Sequence, residues 1–374
     1  MTDAISLLER TTIITPERKF KSIEEVTDFF QTRKVAAKVY KGKQLSIRMF
    51  NGLAYLKIIG DSKSGEYPIR DSGMEGLLTR SGMGRGNFPM YVADDHLIQY
   101  NINYLFSKIV PEQDLTVIYE KNPDDDGYCI KSIMSQKYSH VDHLDVLDII
   151  KGLKIEHEVH QLYLDKNMFR MSLTNPANKV NTPAVVGDIS SVGVDLMNSE
   201  VGYSSLSLGQ FVHRYWCANG ASHIDESHSR RSKAVHRGNI MLNTLKDFKE
   251  SARWYLLNGA QQIEANFKIL SETEVDDKIL SKVSSRTEKV IGKKKTESLM
   301  VEWQTETNTV TANKARTDYE KLQNNCYDLT QLITRAAHRG LFNEKNELGK
   351  VIGSERLGLE KVGGWMYNNP EQFV

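Results

Sequence analysis

Four runs of residues in the middle of the chain decide the fold: EVHQLYL (158–164), MFRMSLT (168–174), ISSVGVDLM (189–197) and SLGQFVHRYWC (207–217). In each run, aliphatic, β-branched or aromatic residues alternate with polar ones. The alternation has a period of two, which is typical of strands whose two faces meet different surroundings. The runs therefore predict a group of strands from about Glu158 to Cys217.

An earlier group of strands is predicted in the first third of the chain. The runs VAAKVY (35–40), QLSIRMF (44–50) and LAYLKII (53–59) are broken by KGK and NG, which favour turns. They predict two or three strands of a meander. Further along, LTVIYE (115–120) and YCIKSIM (128–134) flank the polar cluster NPDDDG, and this pattern predicts a hairpin.

Helices are predicted among these strands. Ser22 followed by Glu25 forms a capping-box pattern before apolar residues at helical spacing, so a first helix is expected from about Ile23 to Thr32. Ser139 is a suitable cap for a helix that runs to Gly152. Two further helices are expected around Met74 to Thr79 and from Ala93 to Ile109.

The character of the sequence changes at Ile240. From there on, charged stretches carry Leu, Ile and Val at helical spacing, with breaks at SETE, GKKKT and TETNTVTANK. The chain is therefore predicted to be an α+β protein, with mixed or antiparallel strand groups in its N-terminal two-thirds and a helical C-terminal region. The predicted division is an α+β body at 1–239, with strand groups at about 35–134 and 158–217, and a helical region at 240–374.

Composition and charge limit the functional classes. Of the 374 residues, 40% are hydrophobic and 26% are charged, as expected of a folded globular protein. Three widely spaced cysteines, no basic-then-apolar start and no apolar run of about 18 to 20 residues predict a cytoplasmic protein that does not enter a membrane. The formal net charge is +1, so attraction to nucleic acid must come from a local cluster of cations.

The strongest local cluster of cations extends from His213 to Arg237, where only Asp225 and Glu226 oppose it. Cations hold phosphates and aromatic side chains stack on bases, so this segment is predicted to bind single-stranded nucleic acid. A glycine-rich stretch, SGMGRGNFP, adds a second candidate, because its backbone can approach a phosphate, but it lacks the GxGxxG spacing and the alternative of a flexible surface loop is favoured. The alternative is a solvated surface on which the arginines pair with carboxylates. The candidate nucleic-acid-binding residues are Arg214, Tyr215, Trp216, Arg230, Arg231, Lys233, His236, Arg237 and Arg85.

Two short clusters contain the residue types that bind metal ions. HVDHLD (140–145) and HEVH (157–160) each place two histidines three residues apart, a spacing at which both can reach one metal from a helix. HEVH is one residue short of the zinc-protease pattern and is expected in a strand. The alternative for HVDHLD is a polar first turn of a helix, with acids near its N-terminus. No metal or other cofactor is predicted, and the candidates for a metal are His140, His143, His157 and His160.

Three blocks of the sequence resemble one family. They are KSIMSQKY (131–138) followed by HVDHLDVLDII, LMNSEVGYSSLSLGQFVHRYWCANG (196–220) followed by RRSKAVHRG (230–238), and NNCYDLTQLITRAAHRG (324–340). The family is a group of phage and plasmid proteins known as domain of unknown function nine-three-two. The resemblance implies an origin in a mobile element, and it supplies no catalytic residues.

The basic cluster and the resemblance predict a phage- or plasmid-encoded nucleic-acid-binding protein. The expected partner is single-stranded DNA, bound or annealed during replication or recombination in the bacterial host. Two alternatives stay open: a metal-dependent hydrolase that acts on phosphodiesters, and an oligomeric interaction or assembly protein of a mobile element. The sequence contains no recognisable catalytic signature, so a binding role is favoured over an enzymatic one.

Overall fold

The computed structural model describes residues 12–13, 17–60, 65–82, 94–121, 127–165, 167–181, 189–214, 219–223, 233–234, 241–307, 322–339 and 353–374. Within these ranges, strands occupy the N-terminal part and helices the C-terminal part, which confirms the predicted α+β class. No helix in the same ranges is both long and apolar enough to cross a bilayer.

Among the described residues, the strands pair in three antiparallel sheets. The strands are β1 (Arg18–Lys19), β2 (Ala36–Lys41), β3 (Leu45–Phe50), β4 (Leu53–Ile58), β5 (Glu66–Pro68), β6 (Asp114–Lys121), β7 (Tyr128–Ser135), β8 (Glu158–Asp165), β9 (Met168–Asn181), β10 (Ile189–Asn198), β11 (Leu206–Arg214), β12 (Asn219–His223) and β13 (Lys233–Ala234). The helices are α1 (Ile23–Arg33), α2 (Asp71–Arg80), α3 (Asp95–Ile109), α4 (His143–Lys151), α5 (Met241–Glu272), α6 (Asp277–Ile291), α7 (Lys293–Thr307), α8 (Cys326–Arg339) and α9 (Gly353–Asn368).

The largest sheet has the strand order β1-β8-β9-β10-β11-β12, with β13 also paired to β11. Its strands β8 to β11 confirm the strand group predicted at 158–217, as far as those residues are described. One face of the sheet carries Phe169, Met171 and Leu173 from β9 beside Val194 from β10. Helices α1, α4 and α5 cover this face and form one hydrophobic core with it.

The N-terminal strands form two smaller sheets rather than one meander. β3 and β4 make the predicted hairpin, and Asn51 and Gly52 at its turn have φ values of 50° and 79°, as a type I′ turn requires. β6 and β7 confirm the second predicted hairpin. β2, however, pairs with β6 and not with β3, so the predicted meander is wrong at that point. A turn signal fixes where the chain bends but not which strand it pairs with next.

Helix α3 closes the open edge of β3 with two amide side chains. Asn103 accepts a hydrogen bond from the backbone N–H of Ile47 at 2.7 Å and donates one to the carbonyl oxygen of Ile47 at 2.9 Å. Gln99 accepts a hydrogen bond from the backbone N–H of Met49 at 2.9 Å. These bonds occupy backbone groups that an unpaired edge would offer to another strand. They also fix α3 against the sheet.

The helix caps agree with the sequence at α1 and differ at α4. Ser22 accepts a hydrogen bond from the backbone N–H of Glu25 at 3.2 Å, which confirms the cap predicted for α1. At α4 the cap is Asp142, which accepts a hydrogen bond from the backbone N–H of Leu144 at 2.9 Å. The prediction of Ser139 as the cap is therefore wrong, because the helix begins directly after Asp142.

The C-terminal helices pack against each other and against the large sheet. Helix α5 ends at Glu272 and α6 ends at Ile291, where the sequence predicts breaks at SETE and GKKKT. The hydrophobic core of this region contains Val192 and Val212 from the sheet together with side chains from α5 to α9. This packing joins residues on both sides of the boundary predicted between 239 and 240, and the boundary itself stays a prediction.

Candidate functional site

The structure describes only part of the predicted nucleic-acid-binding surface. Arg214 ends β11 and its side chain is described, whereas Lys233 is described only in the backbone pairing of β13. The other candidates lie outside the described residues: Arg85, Tyr215, Trp216, Arg230, Arg231, His236 and Arg237. Their role in binding therefore stays a prediction.

Strands β12 and β13, which precede and follow residues 224–232 of the predicted basic segment, both pair with one edge of the large sheet. β12 runs back along β11 until His223 lies opposite Gln210. β13 pairs with the same edge of β11, with Lys233 opposite Ser207. His223 and Lys233 therefore pair with positions of β11 that are three residues apart, about 10 Å along a strand, and residues 224–232 lie outside the described residues. That stretch contains two of the predicted phosphate-binding arginines.

The side chain of Arg214 makes an internal contact. Its Nη1 donates a hydrogen bond to Oε1 of Gln331 on α8 at 3.2 Å. Burial raises the pKa of the nearby Asp328 to about 6, and the positive charge of Arg214 opposes that rise. Arg214 is half-buried and connects the sheet to the helical region.

His143, one of the four candidate metal ligands, is fully buried at the start of α4. Its Nδ1 lies 3.0 Å from the amide nitrogen of Asn198, and its Nε2 lies 3.6 Å from a carboxylate oxygen of Glu200. Burial lowers the pKa of His143 to about 3, with Lys131 acting in the same direction and Glu200 against it. The side chain is therefore a neutral imidazole within the core.

His157 directly precedes β8, and His160 lies near the start of that strand. The Nε2 of His160 is 2.7 Å from the hydroxyl oxygen of Thr174, and its ring stacks on that of His213 with centroids 3.8 Å apart. The Nδ1 of His157 lies 2.8 Å from the carbonyl oxygen of Ile155. The expectation that HEVH lies in a strand is confirmed for its last three residues.

Of the candidate metal ligands, His140 and His143 are close enough to interact electrostatically. His140, the fourth candidate, acts electrostatically on Glu200. Across the described ranges of the chain, no group of three or more His, Cys, Asp or Glu side chains is arranged to hold a metal ion.

Glu120 on β6 is the centre of a buried ion network that joins the smaller sheets to α1. Arg33 on α1 donates to both of its carboxylate oxygens, through Nε at 2.7 Å and through Nη2. Arg70 contacts Glu120 at 3.2 Å, and the Nζ of Lys131 on β7 lies 3.5 Å from it. Burial acts to raise the pKa of Glu120, but Lys131, Arg33 and Arg70 outweigh it and lower the pKa to about 2.

The same network extends to the large sheet through Glu200, which follows β10. Glu200 forms an ion pair with Lys131 and accepts a hydrogen bond from the backbone N–H of His143 at 3.0 Å. All of these side chains are buried. Removing one member of a buried ion network leaves the opposite charge uncompensated at a large cost, so the network has a structural role.

A second buried ion network lies on the face of the large sheet opposite α1, α4 and α5. Arg170 on β9 donates to Asp195 on β10 through Nε at 2.8 Å and through Nη2 at 2.9 Å. Ser172 donates to Asp195 at 2.6 Å, and Glu360 on α9 forms an ion pair with Arg170. Side chains alternate between the two faces of a strand, so these polar residues point away from Met171 and its hydrophobic neighbours.

A row of exposed cations, here named the basic stripe, lies on α6 and consists of Lys278, Lys282, Arg286 and Lys289. At 3.6 residues per turn, the four residues fall within about 80° around the helix axis and extend over about 16 Å. In the part of the chain that the structure describes, none of the four forms an ion pair with a carboxylate. As far as the described residues show, the stripe therefore presents four exposed positive charges without an ion-pair partner.

The acidic residues of α6 itself lie away from the basic stripe, and aromatic rings lie beside two of its cations. The helix positions of Asp277 and Glu288 lie about 80 to 100° beyond the edge of the stripe. The guanidinium carbon of Arg286 lies 4.2 Å from the ring centroid of Trp365, and the Nζ of Lys282 lies 5.3 Å from that of Phe373. Aromatic rings therefore support two of the cations without neutralising them.

The four residues of the basic stripe are not among the binding residues predicted from the sequence. Its signal is the spacing of the cations at i, i+4, i+8 and i+11, and that spacing is meaningful only if residues 277–291 form one uninterrupted helix. The pattern is present in the sequence and precedes the lysine run at GKKKT.

Comparisons with known proteins give no further assignment: no family model, no curated protein and no solved structure matches the chain. The resemblance to the phage and plasmid family therefore stays a prediction.

Proposed function

We propose that this protein binds nucleic acid and that the basic stripe on α6 contacts the phosphate backbone. The observation that carries the proposal is the row of four exposed cations, which no carboxylate among the described residues neutralises. The chain as a whole has a formal net charge of only +1. A local row of unpaired cations in a near-neutral chain is the charge pattern of a phosphate-binding surface.

The spacing of the stripe suits a linear polyanion. Lys278, Lys282 and Arg286 follow one another at intervals of four residues, which is about 6 Å of rise along the helix. A line of charges at regular intervals meets successive phosphates of a strand, whereas a single small anion would use only one of them. Each phosphate contact releases counterions from the nucleic acid and strengthens binding without reading the bases.

The cations in the middle of the stripe are already ordered. The Nζ of Lys282 donates a hydrogen bond to the carbonyl oxygen of Gln372 at 3.0 Å, and Arg286 lies over the ring of Trp365. A side chain that is ordered before binding loses less conformational entropy when the ligand arrives. This ordering supports a binding role for the stripe.

We further propose that the partner is single-stranded DNA, bound or annealed during replication or recombination of a phage or plasmid in the bacterial cytoplasm. The support for this part is the sequence resemblance and the basic segment that contains Arg230 and Arg231. Strands β12 and β13 attach both ends of the stretch with these arginines to the edge of β11.

Fluorescence anisotropy of labelled single-stranded and duplex oligonucleotides, titrated at several salt concentrations, tests the proposal. The informative variant is Lys278→Gln with Lys289→Gln, because neither lysine contacts an aromatic ring of the C-terminal segment. For a single strand, each lost phosphate contact lowers the slope of log K against log salt by about 0.7, so the double variant should lower it by about 1.4. At 0.1 M salt this is about 25-fold weaker binding.

The matched control is Lys154→Gln with Lys246→Gln, which removes the same charge from exposed lysines that have Glu156 and Asp247 close by in sequence. Its affinity and salt slope should equal those of the wild type. If the wild type binds no oligonucleotide at low salt, or if the stripe variant binds as tightly as the control, the proposal is wrong.

A further inference from the structure

Helix α3 carries a pair of exposed and nearly parallel aromatic rings. Tyr100 and Tyr104 are 65% and 51% exposed, their ring centroids are 6.0 Å apart and their planes differ by 10°. They lie one turn apart, on the side of the helix opposite the buried residues Ile98, Ile102 and Phe106. Large aromatic surfaces of this kind are normally buried in a core or an interface, and here they take no part in the core.

The same face of α3 bears a cation and no carboxylate. The Nζ of Lys108 lies 5.7 Å from the ring centroid of Tyr104, one turn further along the helix. Leu97 adds an exposed apolar side chain near the other end. The sequence of α3 contains no acidic residue after Asp95. The face therefore combines two ring faces, apolar surface and one positive charge.

The aromatic pair is carried on a helix that cannot shift freely. Asn103 and Gln99 bond α3 to backbone groups of β3, and Asp95 accepts a hydrogen bond from the backbone N–H of Gly52 at 3.2 Å. A binding surface that is already fixed in place loses less entropy when a ligand binds.

We infer that this face of α3, here named the tyrosine platform, stacks the bases of single-stranded nucleic acid. Every base has a π-face that can stack on an aromatic ring, and a lysine beside the ring can meet the adjacent phosphate. Because α3 has no acidic residue after Asp95, this face of the helix adds no negative charge that would repel a phosphate. A duplex keeps its base faces stacked on one another, so the platform favours single strands.

The separation of the rings determines how a base is held. A base inserted between two rings needs about 6.8 Å, which is twice the base-stacking distance of about 3.4 Å. The centroids of Tyr100 and Tyr104 are only 6.0 Å apart. Bases therefore stack on the outer surfaces of the pair and not between the two rings.

This inference rests on the proposed function for the class of ligand, but the two surfaces make separable contributions. Phosphate contacts by the basic stripe determine the dependence of affinity on salt. Stacking on the tyrosine platform contributes affinity that depends on exposed bases and only weakly on salt. A variant of the basic stripe should therefore change the dependence of affinity on salt and leave the affinity from stacking unchanged. A variant of the tyrosine platform should do the reverse.

The test compares the double variant Tyr100→Leu with Tyr104→Leu, in the full chain, with the wild type. Each lost stacking contact weakens binding about fivefold or more, so the variant should bind an oligothymidine strand at least fivefold more weakly. Its salt slope and its affinity for a duplex should equal those of the wild type. Tyr100→Phe with Tyr104→Phe keeps both rings and should retain single-strand affinity.

Two controls accompany this comparison. Trp254→Leu removes an exposed aromatic side chain from α5 and should leave single-strand affinity unchanged. Thermal unfolding of each variant shows whether the fold is intact, and a leucine at these exposed helical positions preserves helix propensity. Photo-cross-linking of an iodouracil-containing strand to the peptide with Tyr100 and Tyr104 gives a second readout.

The outcomes separate this inference from the proposed function. If the leucine variant binds single strands as tightly as the wild type while the stripe variant binds weakly, the tyrosine platform is wrong and the proposed function stands. If the leucine variant binds weakly while the stripe variant binds normally, the platform stands and phosphate binding by α6 is wrong. If the leucine variant changes only its sedimentation, the face joins two copies of the chain and the platform is wrong.

Discussion

Glu360 on α9 and Arg170 on β9 form a buried ion pair that fastens the last helix of the chain to the middle of the large sheet. Asp195 on β10 binds the same guanidinium group through two hydrogen bonds. Helix α9 therefore contributes one carboxylate to an ion network whose other members lie on the adjacent strands β9 and β10. Because the helices also share a hydrophobic core with the sheet, we expect the two regions to unfold together.

Replacing Glu360 tests this coupling. We expect Glu360→Gln to lower the free energy of unfolding by about 2 kcal/mol, because the buried guanidinium group of Arg170 loses one of its carboxylate partners and keeps Asp195. Urea unfolding followed by tryptophan fluorescence and by circular dichroism should still give one coincident transition. Glu371→Gln, at an exposed position, is the control and should change stability by less than about 0.5 kcal/mol. Two separate transitions in the wild type would contradict the coupling.

Glu120→Gln should be the more damaging change. It leaves Arg33 and Arg70 without their buried carboxylate, and we expect a loss of about 3 to 5 kcal/mol at pH 7. The pKa of Glu120 is about 2 in the folded state and 4.5 ordinarily, so its contribution is complete above about pH 4.5 and is lost as the pH falls towards 2. The difference in stability between wild type and variant should therefore shrink over that range. Glu112→Gln, at an exposed ion pair, should show no such trend.

The buried, neutral His143 leads us to expect a second dependence of stability on pH, at a less acidic pH than that of Glu120. Its pKa is about 3 in the folded state and 6.5 ordinarily, so below pH 6.5 the unfolded chain binds a proton that the folded chain does not. Relative to His143→Gln, the wild type should lose about 2 to 3 kcal/mol between pH 6.5 and pH 4.5. Burial raises the pKa of Asp142 to about 6, which has the opposite effect, so the difference between the two proteins is the quantity to measure. A constant difference across this range would show that His143 is protonated in the fold.

Gly193 on β10 should tolerate no side chain. A Cβ atom there would lie 1.9 Å from the carbonyl oxygen of Leu173 and 2.5 Å from the Cα of Thr174, both in the backbone of the paired strand β9. Backbone atoms in a paired strand cannot move away, so Gly193→Ala should cost about 3 kcal/mol or more, measured by chemical unfolding or as lost soluble yield. Gly152→Ala, where φ is −71° and the nearest atom is 3.1 Å away, should cost about 1 kcal/mol or less. Equal stability of the two variants would show that the strands separate more easily than their pairing indicates.

Asn103→Ala should expose the edge of β3. The change removes two hydrogen bonds to Ile47, each worth about 0.5 to 1.5 kcal/mol, and frees backbone groups for pairing with another strand. We expect lower stability together with concentration-dependent association, measured by light scattering. Ser107→Ala, on the same helix and exposed, should remain at the wild-type level in both measurements. Destabilisation without association would mean that another element protects the edge.

The sequence predicts the elements of this fold well where the signal is local. The alternation around Phe169 and Met171 identifies β9, and the pattern at Ser22 and Glu25 identifies the start of α1, because each depends on residues a few positions apart. The pairing of β2 with β6 was missed, since strand partners are set by contacts between distant segments. The sequence did not identify Asp142 as the cap of α4, because several polar residues precede this helix and only the backbone conformation shows which of them is the cap.

The candidate sites were harder to predict than the elements. Arginine and glutamate are usually surface residues, and nothing in the sequence around Arg170 and Glu120 indicates that both side chains are buried in ion networks. Tyr100 and Tyr104 have helical spacing, but core tyrosines have the same spacing and only the packing of α3 shows that these two face solvent. The basic stripe is predictable from the sequence, because the spacing of its cations places them on one side of the helix once residues 277–291 are taken as a single helix.

The attachment of β12 and β13 to one edge of β11 has a consequence for how this protein can vary. Because His223 pairs with Gln210 and Lys233 pairs with Ser207, backbone pairing fixes the register of the sheet on both sides of residues 224–232. Engineered versions of the chain can therefore carry other residues at 224–232 while the pairing of β12 and β13 with β11 is kept.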